Sequence, residues 1–251
     1  MTVRIKFAKY GNLKFLSHLD VLRFFQKAVR RAGIDVTYSG GFHPHQIMSF
    51  AAPLGLGQTS EAEYFDMELN SMESEAQVLR DLDAQMPDGF KIIDVCLLPE
   101  TGPNTKKESV MALVTASDYL VLRKDGYENG LTNEELYSKF IEFLAQKEIK
   151  TIKTTKTGDH EIDLRPLIYD FKTGCELPVV SDLAEKYENG FKVWLFLSAG
   201  SENHIRPELV FKAFYDYMGL EFNAYEYQVH RLESYTGDRG NLIPLYKLHR
   251  K

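Results

Sequence analysis

At 251 residues, 44% of them hydrophobic and 26% charged, the chain can bury a core and is too apolar for a disordered protein. No run approaches the roughly eighteen apolar residues of a membrane span, and the N-terminus opens into an alternating segment rather than a signal peptide, so a cytoplasmic protein is expected. The net charge of −6 argues against a surface coated in nucleic acid, yet residues 1–50 hold eight Lys or Arg against two Asp or Glu, a basic region on an acidic body that suggests one defined anionic site.

Residues 4–10 alternate charged and apolar side chains with Ile5 and Phe7 on one side, the period of a half-buried strand. Ser17, followed three positions later by Asp20, opens a helix that runs to Ala32 and is stopped by Gly33. Beyond a turn-rich segment, residues 47–52 and 62–69 read as strands joined across Gly55 and Gly57. Residues 75–86 are helical, with Val78, Leu79 and Leu82 apolar and Pro87 past the end, and residues 90–98 form an apolar strand. The order is βαββαβ.

Residues 101–107 mix turn formers with charge and read as a linker. The order then recurs. Residues 110–122 supply strand material, and Thr132 with Glu135 caps a helix through 147 whose apolar face is Leu136, Phe140, Phe143 and Leu144. Residues 149–168 contain a strand or hairpin, 191–197 a strand, and Pro207 opens a helix through 218 before a last strand at 222–232. The expected fold is α+β: two tandem ferredoxin-like βαββαβ domains with antiparallel sheets, residues 1–103 carrying the site and 108–251 forming the second domain.

Cys96 and Cys175 have no CxxC spacing, which suggests neither a disulfide framework nor a zinc ribbon, and an iron–sulfur cluster needs more thiolates. No cofactor is expected.

On the first helix, Leu19, Leu22, Phe25, Val29 and Ala32 share a broad face, while Arg23, Lys27, Arg30 and Arg31 lie within about 100° of one another on a different one. Such a stripe is either solvated surface, with Asp20 pairing to Arg23, or a phosphate-binding face. His18 falls in the apolar sector, as a core-edge histidine bonded to a carbonyl or as one at the sheet edge within reach of a ligand. The run Tyr38-Ser39-Gly40-Gly41-Phe42-His43-Pro44-His45 is a loop whose paired glycines let backbone amides approach an anion. It is neither a Walker loop nor a dinucleotide fingerprint. His43 and His45 lack a third metal ligand placed by the sequence, and contact with a nucleotide demands less of them than acid–base catalysis. Arg4 and Lys6 are discounted, because Asp66 and Glu68 on the neighbouring strand can neutralise them.

Phe15-Leu16-Ser17-His18-Leu19-Asp20, Arg23, Arg30-Arg31-Ala32-Gly33, Tyr38-Ser39-x-Gly41-Phe42-x-Pro44, Ser49-Phe50, Leu54-x-x-Gly57 and Glu61-x-Glu63-Tyr64 together resemble the uncharacterised radical-SAM-linked protein family. The resemblance is dense over residues 4–69 and thins to fragments such as Asp163-Leu164-Arg165-Pro166-Leu167. In that family the domain is often fused behind, or encoded beside, a radical S-adenosylmethionine enzyme, near genes for an E/G-type ribonuclease and ribosomal proteins. The resemblance implies a role in RNA or ribosome metabolism, here as a stand-alone form working with a separate radical SAM enzyme. No activity carries over, so the matching residues transfer as a site and not as catalysts.

The leading expectation is an RNA-binding accessory protein. Arg23, Lys27, Arg30 and Arg31 would hold phosphates of tRNA or ribosomal RNA, and His18, Tyr38, Gly40, Gly41, Phe42, His43 and His45 would contact a base, ribose or phosphate. One alternative is a metal-independent RNA-processing enzyme using histidine general acid–base catalysis; another is a protein–protein scaffold for the radical SAM enzyme.

Overall fold

The computed structural model describes residues 1–100, 108–127, 130–155, 158–174, 177, 181–200 and 203–249; the expected linker at 101–107 and Cys175 lie outside the described residues. The chain is a mixed α+β protein with a large, mostly antiparallel sheet, and its described residues include five α-helices. No described helix is long and apolar enough to cross a membrane. Two compact units result: residues 1–115 with 231–251, and residues 116–230.

In the first unit, β1 (Thr2–Lys9) lies between β3 (Thr59–Glu68) and β4 (Phe90–Leu97), and β2 (Met48–Phe50) pairs with β3. With α1 (His18–Arg31) and α2 (Glu75–Asp83), the chain order is β1-α1-β2-β3-α2-β4. The alternation read in β1 marks its core row, but the strand is not half-buried as expected, since Arg4 and Ala8 on the other row are buried too. Val3, Ile5 and Phe7 join Phe65, Met67, Ile92 and Val95 in a core that Val21, Phe25 and Val29 of α1 and Val78 and Leu82 of α2 complete. Each helix begins where a serine side chain accepts an orphan amide, Ser17 from Asp20 N at 3.3 Å and Ser74 from Gln77 N at 3.1 Å. Gly33, at φ +68°, lets the chain leave α1 in the left-handed conformation. The second strand is shorter than the expected 47–52, although Ala51 N still donates to Tyr64 O at 2.9 Å.

On the opposite face of β1, Arg4 sits directly across from Asp66 and donates to it twice, at 2.8 and 3.0 Å. Lys6 goes elsewhere than expected: its neighbour across the sheet is Tyr64, and its ammonium donates to Glu233 at 2.6 Å. The residues expected to begin the second half as strand start instead with a short helix, α3 (Val110–Leu113), because the Ser109 hydroxyl caps it at Ala112 N.

The second unit holds β5 (Ala116–Arg123), α4 (Asn133–Leu144), β6 (Lys150–Thr155), β7 (Gly158–Asp163), β8 (Ile168–Thr173), β9 (Lys192–Ser198) and α5 (Pro207–Met218). The last strand, β10 (Tyr227–Thr236), crosses the division between residues 230 and 231. β9 pairs with β5 on one side and β8 on the other, while β6 and β7 form a separate hairpin. The region 149–168 therefore contains a hairpin, and β8 follows it. Thr132 and Glu135 close the capping box, at 3.2 and 2.8 Å, and α4 packs Leu136, Phe140, Phe143 and Leu144 against Val193, Leu195, Phe211 and Phe214. α4 ends at Leu144, three residues before the expected 147.

Candidate functional site

The helix α1 carries its cations on the face opposite Val21, Phe25, Ala28 and Val29, which are buried. Burial of this stripe leaves Arg23, Lys27, Arg30 and Arg31 exposed, and Leu19, expected on the apolar face, is exposed as well because it lies in the first turn, beside the cationic sector. They are not equivalent. Arg23 approaches Asp20 at 4.0 Å with both side chains largely in water, a pairing worth little. Arg31 turns toward α2, lies over the Phe24 ring at 5.9 Å and donates to Gln85. Lys27 and Arg30 have no hydrogen-bonding or ion-pair partner among the described residues.

The glycine loop comes back to this helix. An isolated bridge joins Tyr38 to Gln46, and Ser39 N donates to His45 O at 2.8 Å, which together close the neck of the loop. The Ser39 hydroxyl and His45 Nδ1 add a 2.8 Å bond across it. Gln46, buried below the neck, donates its amide to the backbone carbonyl of Gln26 at 3.2 Å and to the Tyr38 hydroxyl at 3.5 Å. On a helix surface, Arg23 at i−3 and Arg30 at i+4 are the neighbours of residue 26. The neck is thus bonded to α1 one turn from each of these two cations. Past the neck, Gly41 takes φ +98°, Phe42 is fully exposed and His43 is exposed; Tyr38, at the neck, is 46% exposed.

His18 lies in a different place. It sits in the first turn of α1, two helical turns before Gln26 and about 12 Å from it along the axis. Its ring meets Phe50 edge-on at 5.7 Å. With Lys9, Val21, Pro53, Leu54 and Glu63 it lines a cavity of about 20 Å³, room for about one water. The loop approaching this end of α1 is the later one, at Gly57, whose amide donates to Lys14 O at 2.9 Å. The structure bonds the base of the Tyr38–His45 loop to α1 at Gln26 and puts His18 in a pocket of its own. Among the described residues no three His, Cys, Asp or Glu side chains are grouped to hold a metal ion.

The pocket beside His18 also contains the charged groups of Lys9 and Glu63, which were not among the expected site residues. Lys9 is 3% exposed and spends its ammonium on Leu16 O at 2.8 Å and Lys14 O at 3.4 Å, tying the turn before α1 to the sheet. Burial lowers its pKa below the ordinary lysine value, and the nearby Glu63 opposes that shift. Glu63 accepts from Arg231 at 2.9 Å, and Arg231 also donates to Ala52 O at 3.2 Å. Behind them the Tyr64 hydroxyl donates to Glu233 at 2.5 Å; burial, then the Glu233 charge, raises its pKa. A signal was present: Val3-x-Ile5-x-Phe7-x-Lys9 and Met67-x-Phe65-x-Glu63 each end a core-facing row on a charge, which needs a buried partner. Arg231 and Glu233, about 170 positions away, carry no such local mark.

A sequence model for a family described as an uncharacterised protein conserved in bacteria, DUF2344, matches residues 2–207. Among solved structures, an unknown protein from Galdieria sulphuraria is 13% identical over 92% of this chain and 96% of its own, with a TM-score of 0.23. A heavy metal efflux pump is 10% identical over 96% of this chain and 28% of its own, with a TM-score of 0.22. Neither score supports an argument from structure. No functionally curated protein matches the sequence.

Proposed function

We propose that this chain, which belongs to the bacterial family DUF2344, is an RNA-binding accessory protein whose contact surface is the cationic face of α1 together with the Tyr38–His45 loop. The observation that carries the reading is Phe42: an entirely exposed aromatic ring on the glycine-bearing tip of a loop whose base is bonded to α1 at Gln26, one turn from Arg23 and from Arg30. An exposed phenyl costs solubility and contributes nothing to the core, whereas beside exposed guanidinium groups it supplies the pairing single-stranded RNA requires, a stacking platform next to phosphate donors. Arg23, Lys27 and Arg30 would hold consecutive phosphates, and His43 and Tyr38 would contact ribose or base edges.

On this reading tRNA or ribosomal RNA is the partner, and the protein works with a separate radical SAM enzyme in RNA or ribosome metabolism, as the sequence resemblance implies. We also read each unit as ferredoxin-like. In the first the strands run β4-β1-β3-β2 across the sheet; in the second, once the β6–β7 hairpin is set aside, β10-β5-β9-β8 repeats that arrangement. The test is fluorescence anisotropy with labelled tRNA and ribosomal RNA fragments from 50 to 200 mM salt, comparing wild type with Arg23→Glu/Arg30→Glu. Removing two phosphate contacts should flatten the logarithmic salt dependence by about one to two units. An unchanged slope would remove α1 from the interface.

A second reading rests on the His18 pocket. An imidazole beside a buried lysine and a carboxylate has the parts for general acid–base cleavage of RNA. Cyclic-phosphate products formed by wild type and lost in His18→Ala would favour it.

A further inference from the structure

The second unit contains a cavity that the RNA surface does not use. The hairpin of β6 and β7, inserted between α4 and β8, stands beside the start of α5 and borders with it an open cleft of about 680 Å³. That volume lies within the range of about 300–1,000 Å³ in which small-molecule sites fall.

The lining has two characters. One wall is apolar, from Leu209, Phe222 and Ile152. Phe222 is half-buried and already rests against Tyr215 at 5.5 Å, so it presents a fixed flat surface. The rim is cationic, from Lys153, Arg206 and Lys212, with Glu208 as the opposing charge. The unit around it is acidic, residues 116–230 holding thirteen Lys or Arg against twenty Asp or Glu, so positive charge at this rim is local. These cations are also available. Arg206 is exposed, with no partner among the described residues. Lys153 donates one hydrogen bond to His204 O at 2.7 Å and keeps two more N–H donors. Lys212 meets Asp216 at 2.9 Å in an exposed i, i+4 pair that a ligand displaces at little cost.

We propose that this cavity binds a nucleoside phosphate. The phosphate would bridge Arg206, Lys212 and Lys153, the base would lie against Phe222 and Leu209, and the Thr154 hydroxyl and His204 would face the ribose. Arg206 supplies the fork that matches phosphate oxygens two at a time. The pairing of cationic rim and apolar wall excludes two simpler occupants: a free inorganic anion leaves the wall unused, and an uncharged apolar molecule leaves the rim unused. The proposal stands apart from the RNA surface on α1.

The experiment is isothermal titration calorimetry on the full chain with adenosine 5′-monophosphate, uridine 5′-monophosphate, inorganic phosphate and adenosine. The monophosphates should bind, each at least tenfold more tightly than phosphate or adenosine alone, and Arg206→Glu should weaken them tenfold or more. Arg206 is exposed, so circular dichroism should show that variant folded. Phe42→Ala should bind the monophosphates as wild type does, which separates this site from the α1 surface. A 5′-phosphorylated oligonucleotide that competes identifies an RNA end as the source of the ligand; one that does not identifies the free nucleotide. Absence of monophosphate binding at millimolar concentration, or equal binding by wild type and Arg206→Glu, would overturn the proposal.

Discussion

Replacing Phe42 by alanine separates function from folding. The side chain is fully exposed, and Gly40 and Gly41 beside it have open space around them, so its removal deletes no packing. Thermal stability should therefore stay within the ±0.5 kcal/mol typical of surface changes. RNA affinity should not. A base stacked on an aromatic side chain contributes about 1–3 kcal/mol, so Phe42→Ala should weaken single-stranded RNA binding by about 5- to 150-fold. Because the lost group is uncharged, the logarithmic salt slope should stay at the wild-type value, whereas Arg23→Glu/Arg30→Glu changes that slope. Anisotropy titrations of both variants with one labelled RNA at several salt concentrations measure both quantities. Affinity of Phe42→Ala within twofold of wild type would refute the stacking role, and a changed slope in that variant would show that the loop acts by orienting the cations.

Three further outcomes concern stability and its pH dependence. Asp66→Ala leaves the Arg4 guanidinium, 4% exposed, without its bidentate acceptor, and should cost about 3–5 kcal/mol, read by hydrogen exchange in β1 and β3; Arg4→Met with Asp66→Leu should recover most of it. Phe140→Ala removes a fully buried ring stacked on Phe211 at 5.4 Å and should cost the second unit about 3–5 kcal/mol, followed by Trp194 fluorescence in urea. Asp35 accepts from Asn70 at 2.8 Å and Ser71 at 2.7 Å, and those bonds hold its pKa below the ordinary 3.8. A carboxylate with a depressed folded pKa contributes stability above its unfolded value and loses it as pH falls through the folded one. The melting temperature should thus drop more steeply below about pH 4 in wild type than in Asp35→Asn.

What could be read from the chain alone was whatever depends on residues a few positions apart. The Ser17 and Thr132 caps, the apolar faces of α1 and α4, the first-turn proline of α5 and the alternation of β1 all involve contacts within about one or two turns or one pleat, and each element formed where expected to within a few residues. The turn character of the Tyr38–His45 run and the exposure of the α1 cations were legible for the same reason. The tertiary structure decided which of these meet. The Gln46–Gln26 bond shows that the base of the loop returns to α1, and the approach of Phe50 and Leu54 shows that His18 belongs to a separate pocket. Lys6 found Glu233, 227 positions on, in place of the cross-strand partner that periodicity suggested. The hairpin β6–β7 could be anticipated as a hairpin, but not that it would stand beside α5 and border a cationic cleft. Side-chain periodicity reports which face of an element is buried. Which other element covers that face, and which charges are left together at its edge, is set by chain topology, for which neighbouring residues hold no record.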